Sequence, residues 1–163
     1  MDARNRRIAV YPGSFDPITN GHLDILNRSR LLFDRVIVAV SANPGKGFLF
    51  TADERVQMIQ EVLGPTSEVP VESFKGLLVD YASRKGVSFV IRGLRALSDF
   101  EYELQMHLMN RKLDPGTHML YLMTDQRYSY LSSSVIKEIS RLGGDLRGLV
   151  PKTVEEYLKR KFR

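Results

Sequence analysis

Short apolar runs alternate along this chain with segments in which apolar residues recur every third or fourth position. Ile8-Ala9-Val10-Tyr11 is the first run and predicts a buried strand. Pro12-Gly13-Ser14-Phe15-Asp16-Pro17 follows, a tight turn dense in Gly and Pro. Beyond it Leu23, Ile25, Leu26, Ser29, Leu32 and Phe33 fall at helical spacing, with Thr19 or Asn20 as the N-cap. Val36-Ile37-Val38-Ala39-Val40 is continuous and mostly β-branched, the pattern of a strand buried on both faces. Thr51 with Glu54 three residues on predicts a capping box and a helix to Leu63, stopped by Gly64-Pro65. A weaker strand is expected over 69–74, a short helix over 77–84 ended by Gly86, and a buried strand over 87–91. Ser98 or Asp99 caps a helix to Lys112, ended by Asp114-Pro115-Gly116. A strand over 118–123 comes next, then a helix capped by Ser132 and closed by Gly143-Gly144, and a last helix over 153–161.

Alternating strand and helix predicts an α/β fold, a doubly wound parallel sheet with helices on both faces. No linker, repeat or low-complexity segment interrupts the pattern, so one domain over 1–163 is expected. In such sheets ligands bind beyond the carboxyl ends of the strands, near the switch in strand order. Ser14, Phe15 and His22 follow the first strand, and Asn43-Pro44-Gly45-Lys46-Gly47 the second. Arg92-Gly93-Leu94-Arg95 follows the fourth, and the hydroxyl-rich stretch Thr124 to Ser134 the fifth. Cations and hydroxyls gather there and carboxylates are few, which suits phosphate.

Composition narrows the picture. The 163 residues are 43% hydrophobic and 26% charged, ordinary for a globular protein, with a net charge of +5. There is no cysteine, which excludes disulfides and thiolate metal sites and is compatible with a reducing compartment. No apolar run approaches the roughly 18 residues that span a bilayer. Arg4, Arg6 and Arg7 precede only the short run Ile8 to Tyr11, too little for a signal peptide. The basic charge fits nucleic acid, small phosphorylated substrates, or simply a solvated surface. Aromatics are not interleaved with the basic residues, which argues against a single-strand-binding face.

Thr19-Asn20-Gly21-His22 puts an imidazole in the first turn of a helix that follows a strand and a Gly-containing turn. A helix N-terminus offers unpaired N–H groups and a partial positive charge, and His22 adds a donor to phosphate oxygens. Gly21 leaves room for a ligand to approach the backbone. Ser14 supplies a hydroxyl and an N–H beside it. Asp16 either orients the turn or assists a magnesium ion, which takes oxygen ligands. Lys46 brings one cation to a Gly-flanked loop. Arg92 and Arg95 are placed for bidentate phosphate contacts; the alternative is salt bridges to Asp99, Glu101 or Glu103. Ser132, Ser133 and Ser134 offer hydroxyls to an anion at a helix start, although a cap needs only one of them. The Gly-x-x-x-x-Gly-Lys-Ser/Thr loop, the Gly-x-Gly-x-x-Gly turn and the Gly-x-Ser-x-Gly elbow are all absent.

The segments YPGSFDPITNGH (11–22), FTADER (50–55), IRGLRALSDFEYE (91–103) and YLSSSVIKE (130–138), with Lys46 in its loop, resemble the phosphopantetheine adenylyltransferases. The TNGH element is similar to that of the wider T/HxGH nucleotidyltransferase superfamily. The resemblance implies a Rossmann-like fold, magnesium, a homohexamer and a cytoplasmic location. It implies transfer of AMP from ATP to 4′-phosphopantetheine, giving dephospho-coenzyme A and pyrophosphate. On the matching positions His22 would stabilise the transition state and contact ATP. Ser14 would touch both substrates and Phe15 would line the ATP site. Lys46, Leu78 and Arg92 would bind phosphopantetheine. Gly93, Leu94, Arg95, Glu103 and the run Tyr128, Ser129, Tyr130, Leu131, Ser132, Ser133 and Ser134 would surround ATP. Two positions depart from the pattern: Ser14 stands where many relatives have Thr, and Tyr128 where Trp is common.

An in-line displacement follows, because a phosphate nucleophile is already ionised and needs positioning and charge neutralisation rather than a strong base. Two rivals stand beside it. A sibling transferase would adenylylate nicotinate mononucleotide or transfer to a phosphorylated polyol. A non-catalytic nucleotide or nucleic-acid binder would use the basic charge and release no pyrophosphate.

Overall fold

The computed structural model describes residues 7–43 and 47–162. Its strands are β1 (Ile8–Gly13), β2 (Arg35–Ser41), β3 (Val71–Phe74), β4 (Phe89–Leu94) and β5 (His118–Met123). Its helices are α1 (Asn20–Leu32), α2 (Ala52–Leu63), α3 (Leu78–Arg84), α4 (Leu97–Leu113), α5 (Ser133–Arg141) and α6 (Lys152–Lys161). The strands form one parallel sheet in the order β3-β2-β1-β4-β5. The chain winds outward from β1 to β3, then returns to β4 on the other side of β1. That return is the switch in strand order, and it makes the fold doubly wound and Rossmann-like.

Period-two alternation sorts the strand residues between two cores. Ala9, Tyr11, Val36, Val38, Val40 and Ile91 pack with Ile25 and Leu26 of α1, Met58 and Ile59 of α2, and Ile136, Val154 and Leu158 of α5 and α6. Val10, Ile37 and Ala39 face the opposite side, against Phe74, Tyr81 and Val87. α1 and α2 pack on one face of the sheet and α3, with α4 against it, on the other. α4 leaves Phe100, Tyr102, Leu104, Leu108 and Met109 exposed.

The Thr51–Glu54 capping box forms in both directions, as expected: Thr51 N–H donates to Glu54 at 2.8 Å and Glu54 N–H to Thr51 Oγ1 at 3.2 Å. Other boundaries differ. β4 begins at Phe89 rather than Val87, because Val87 N–H closes the end of α3 on the Ala82 carbonyl at 3.0 Å. It continues to Leu94, because its pairing with β5 runs unbroken from Phe89↔His118 to Leu94↔Met123. Arg92 and Gly93 therefore belong to the strand rather than to the loop after it. α4 starts at Leu97 with Ala96 as N-cap, ahead of the expected Ser98 or Asp99. The Asp99 carboxylate is taken by Arg95 instead.

The turn after β1 carries the tightest local constraint. Phe15 adopts φ +47, a left-handed conformation unusual for an aromatic residue. This folds its ring back beneath the strand end, where it is buried edge-on to Tyr11 at 5.4 Å between centroids. A Cβ on Gly13 would stand 2.8 to 3.0 Å from that ring, so position 13 has no room for one. Gly13→Ala is expected to cost about 1–3 kcal/mol by overpacking, read as a lower midpoint in denaturant unfolding; an unchanged midpoint would show that the ring is free to move.

Candidate active site

A cavity of about 610 Å³ opens at the carboxyl ends of β1 and β4, at the switch in strand order. Ser14, Phe15 and His22 line it from the β1–α1 connection. Arg92, Gly93, Arg95 and Glu103 line it from β4 and α4, Leu78 from the start of α3, and Leu131, Ser132, Ser133 and Ser134 from the approach to α5. His22 and Arg92, 70 residues apart in the chain, thus share one space.

Thr19 is the N-cap of α1, with its hydroxyl accepting from His22 N–H at 3.4 Å. In return Thr19 N–H donates to His22 Nδ1 at 3.0 Å. The imidazole takes the place a Glu or Gln side chain holds in the usual capping box. A backbone N–H can only donate, so Nδ1 is the acceptor and the ring proton sits on Nε2. The ring is steadied by the Phe15 edge, with centroids 5.2 Å apart at 73°. Burial first, then the charges of Arg95 and Arg92, push the His22 pKa down to about 4. His22 is therefore a neutral donor at neutral pH, neither a base with a free lone pair nor a fixed cation.

Both arginines are held by carboxylates from α4. Arg92 Nε donates to Glu103 at 2.9 Å, a second guanidinium nitrogen bonds the same carboxylate, and Nη1 reaches the Pro12 carbonyl at 3.1 Å. Arg95 forks onto Asp99 at 2.9 and 3.1 Å and donates to the Leu131 carbonyl at 2.7 Å. The salt bridges expected as the alternative to phosphate binding are formed, and both residues still line the cavity. The expected scarcity of carboxylates at the strand ends is corrected accordingly: α4 delivers two, Asp99 and Glu103, each already matched to a cation.

Asp16 orients rather than opens the site. It is buried, accepts from Leu49 and Phe50 N–H at 3.0 and 2.9 Å, and pairs with Lys137 at 2.7 Å. Among the described residues no three His, Cys, Asp or Glu side chains cluster as a metal cage. The nearby carboxylates of Asp16, Asp99 and Glu103 each face a cation already. That donor set does not fit a protein-held magnesium.

The Cytidylyltransferase-like family model matches residues 10–139. A curated phosphopantetheine adenylyltransferase from Desulfosudis oleivorans is 54% identical over 156 residues, 96% of this chain and 93% of the relative. One from Alkaliphilus metalliredigens is 52% identical over 155 residues, 95% of this chain and 99% of the relative. One from Geotalea daltonii is 54% identical over 156 residues, covering 96% and 97%. The chain belongs to the phosphopantetheine adenylyltransferase family.

Within that family's motifs, some positions expected at the site sit elsewhere. Leu94 is buried, and its carbonyl accepts from Thr124 N–H at 2.9 Å. Tyr128, Ser129 and Tyr130 lie in and after a short 3₁₀ turn (Gln126–Tyr128), off the cavity wall, and Tyr130 is exposed. Lys46 lies outside the described residues. Gly21 lines the cavity, and its missing Cβ also serves packing: a Cβ there would meet Tyr128 Cβ at 3.3 Å and Thr124 Cγ2 at 3.6 Å. Its bareness lets the 124–128 segment close on α1, where Asp24 accepts from Asp125 N–H at 3.1 Å. Gly93 likewise admits Ile25, whose Cγ1 would be 3.2 Å from an added Cβ.

Sequence reasoning missed one whole wall. Phe74, Leu77, Leu78, Met106 and Met119 give the cavity an apolar end, with Tyr102 and Asn110 beside it. Of these only Leu78 was expected. Asn43 and Gly76 exchange hydrogen bonds at 2.7 and 3.1 Å, which brings the turn before α3 to the site. The high apolar content of α3 and α4 was the available signal, but a core reading explains it equally well.

The neutral imidazole has a measurable consequence. In the ligand-free protein His22 is expected to titrate near pH 4 by NMR, well below an ordinary histidine. Its folded pKa is depressed, so this stabilisation is complete above about pH 6.5 and is lost as pH falls toward 4. His22→Gln should flatten that part of the acid stability profile. An imidazole titrating at an ordinary value would overturn the assigned environment.

Proposed function

We propose that this chain transfers the adenylyl group of ATP to 4′-phosphopantetheine, forming dephospho-coenzyme A and pyrophosphate by direct in-line displacement. The convergence of neutral His22, Arg92 and Arg95 on one cavity with an apolar end carries this reading. The apolar wall around Leu77, Leu78 and Met106 suits the uncharged pantetheine arm. Arg92, with Lys46, holds the nucleophilic phosphate. Ser14 stands between the two substrates.

ATP lies on the other side, toward the N-terminus of α5. There Leu131 through Ser134 and the α5 N–H groups meet the triphosphate, and Arg95 neutralises it. Ser132 also caps α5 on Val135 N–H at 3.1 Å, and Ser133 donates to the Pro17 carbonyl at 2.7 Å. The Ser133 hydroxyl thereby ties the α5 terminus to the β1 turn. Nε2–H of His22 donates to the α-phosphate as charge builds on it. Glu103 and Asp99 keep Arg92 and Arg95 in place before either substrate arrives. No side chain has to become a nucleophile.

No carboxylate cage among the described residues would hold magnesium; arriving with the nucleotide, it would supply neutralisation of the triphosphate charge. A cytoplasmic location and a homohexamer belong to the same reading. The exposed apolar side chains of α4 support the latter, because association would remove them from water. No helix among the described residues is long and apolar enough to cross a membrane.

Incubation with ATP, magnesium and 4′-phosphopantetheine is expected to yield dephospho-coenzyme A by mass spectrometry, with equimolar pyrophosphate. Product only from another phosphorylated acceptor would identify a sibling transferase, and no pyrophosphate with any acceptor a mere binder. His22→Ala is expected to lower kcat by about 10²–10³ while ATP affinity changes only a few-fold. A loss confined to affinity would remove His22 from the chemistry.

A further inference from the structure

Arg55 is 1% exposed, lies near the start of α2 and is not itself on the cavity wall. Its hydrogen bonds all run to main-chain carbonyls. Nη1 donates to Ser14 at 2.6 Å and to Ser41 at 2.9 Å, and Nε to Phe50 at 3.1 Å and Thr51 at 3.2 Å. The guanidinium also stacks over the Phe48 ring, 4.1 Å from its centroid. Arg92 and Arg95 each have a carboxylate in contact. Among the described residues Arg55 has none, and Asp16, the carboxylate that acts on it at longer range, is itself paired with Lys137.

A buried cation without a paired carboxylate is costly, and an apolar side chain would fill the same space at lower cost. Burial accordingly pulls the Arg55 pKa below its ordinary value. What the guanidinium provides that an apolar group cannot is a planar fork. One nitrogen holds the carbonyl of Ser14, in the turn after β1, together with the carbonyl of Ser41, at the end of β2. Both residues line the cavity. The 49–50 segment is gripped from its other side by Asp16, which takes the N–H groups of Leu49 and Phe50. Carboxylate and guanidinium together tie the β1 turn to the end of β2.

We infer that Arg55 is a positioning residue: it sets the Ser14 turn against the end of β2 and holds an unpaired positive charge behind the phosphate-binding wall. The inference rests on the adenylyl-transfer reading above. Anionic substrates then supply, across the turn, the negative charge that the interior does not.

Two variants test the two parts. Arg55→Lys keeps the charge but loses the fork. It is expected to fold, to bind inorganic pyrophosphate within about threefold of wild type by calorimetry, and to lose at least about tenfold in kcat per folded molecule. Arg55→Met loses the charge, and its pyrophosphate affinity is expected to fall about tenfold. Wild-type kcat per folded Arg55→Lys molecule, or a loss that only follows the unfolded fraction in a thermal melt, overturns the positioning role. Unchanged pyrophosphate affinity in Arg55→Met overturns the electrostatic one, and failure of both variants to fold leaves Arg55 structural and overturns both. Absence of turnover by wild type would instead refute the adenylyl-transfer reading, with pyrophosphate binding still deciding the charge.

Discussion

The backbone N–H of Thr19 and the Nδ1 of His22 form the contact on which the site depends. It occurs where a strand, a turn and a helix start are joined within a few residues, so a local cap decides the chemistry of the ring. With Nδ1 occupied as an acceptor, Nε2 keeps its proton and can only donate. Desolvation and two nearby guanidinium groups then hold the ring neutral. A neutral donor avoids the larger cost of burying a charge, and in the proposed reaction it would gain strength as negative charge develops beside it. The ring of Phe15 beneath it, its left-handed backbone and the missing Cβ of Gly13 all serve to hold that imidazole.

Positive charge is organised in two ways around this donor. Arg92 and Arg95 arrive already paired with Glu103 and Asp99, so their planes are set before a ligand binds. In the proposed function, phosphate would share a guanidinium with a carboxylate and need not capture a mobile one. Arg55 has no such partner and is fixed by carbonyls instead. The same residue type thus appears twice as a carboxylate-paired group on the cavity wall, at Arg92 and Arg95, and once as an interior fork, at Arg55.

Much of this was legible from the chain, and for reasons that can be named. β1, β2 and β4 were visible because each is apolar over several consecutive residues, as buried parallel strands are, whereas β3, Val71-Glu72-Ser73-Phe74, gave only a weak signal. The Thr51 box and the Ser132 cap were visible because capping depends on residues three apart. The cationic and hydroxyl groups of the site were visible because the carboxyl ends of parallel strands follow directly from the strand positions. The extent of β4 was not, since only pairing with β5 shows that Arg92 lies inside the ladder. The packing role of Gly21 and Gly93 was not visible either, because the atoms that need their bareness come from Tyr128, Thr124 and Ile25.

Sequence alone determined the order of elements, the caps that start α1, α2 and α5, and the cationic and hydroxyl residues that follow the strands. These are local properties, carried by neighbours within about one helical turn or one strand. Tertiary structure decided which carboxylate meets which arginine, why two glycines are bare, that Arg55 grips two strand ends, and that α3, α4 and β5 build an apolar end to the cavity. Arg95 and Asp99 are only one helical turn apart, but Arg55 reaches Ser14 across 41 residues, and the apolar end and the glycine contacts join α1 or β3 to the second half of the chain, so only folding brings those groups together.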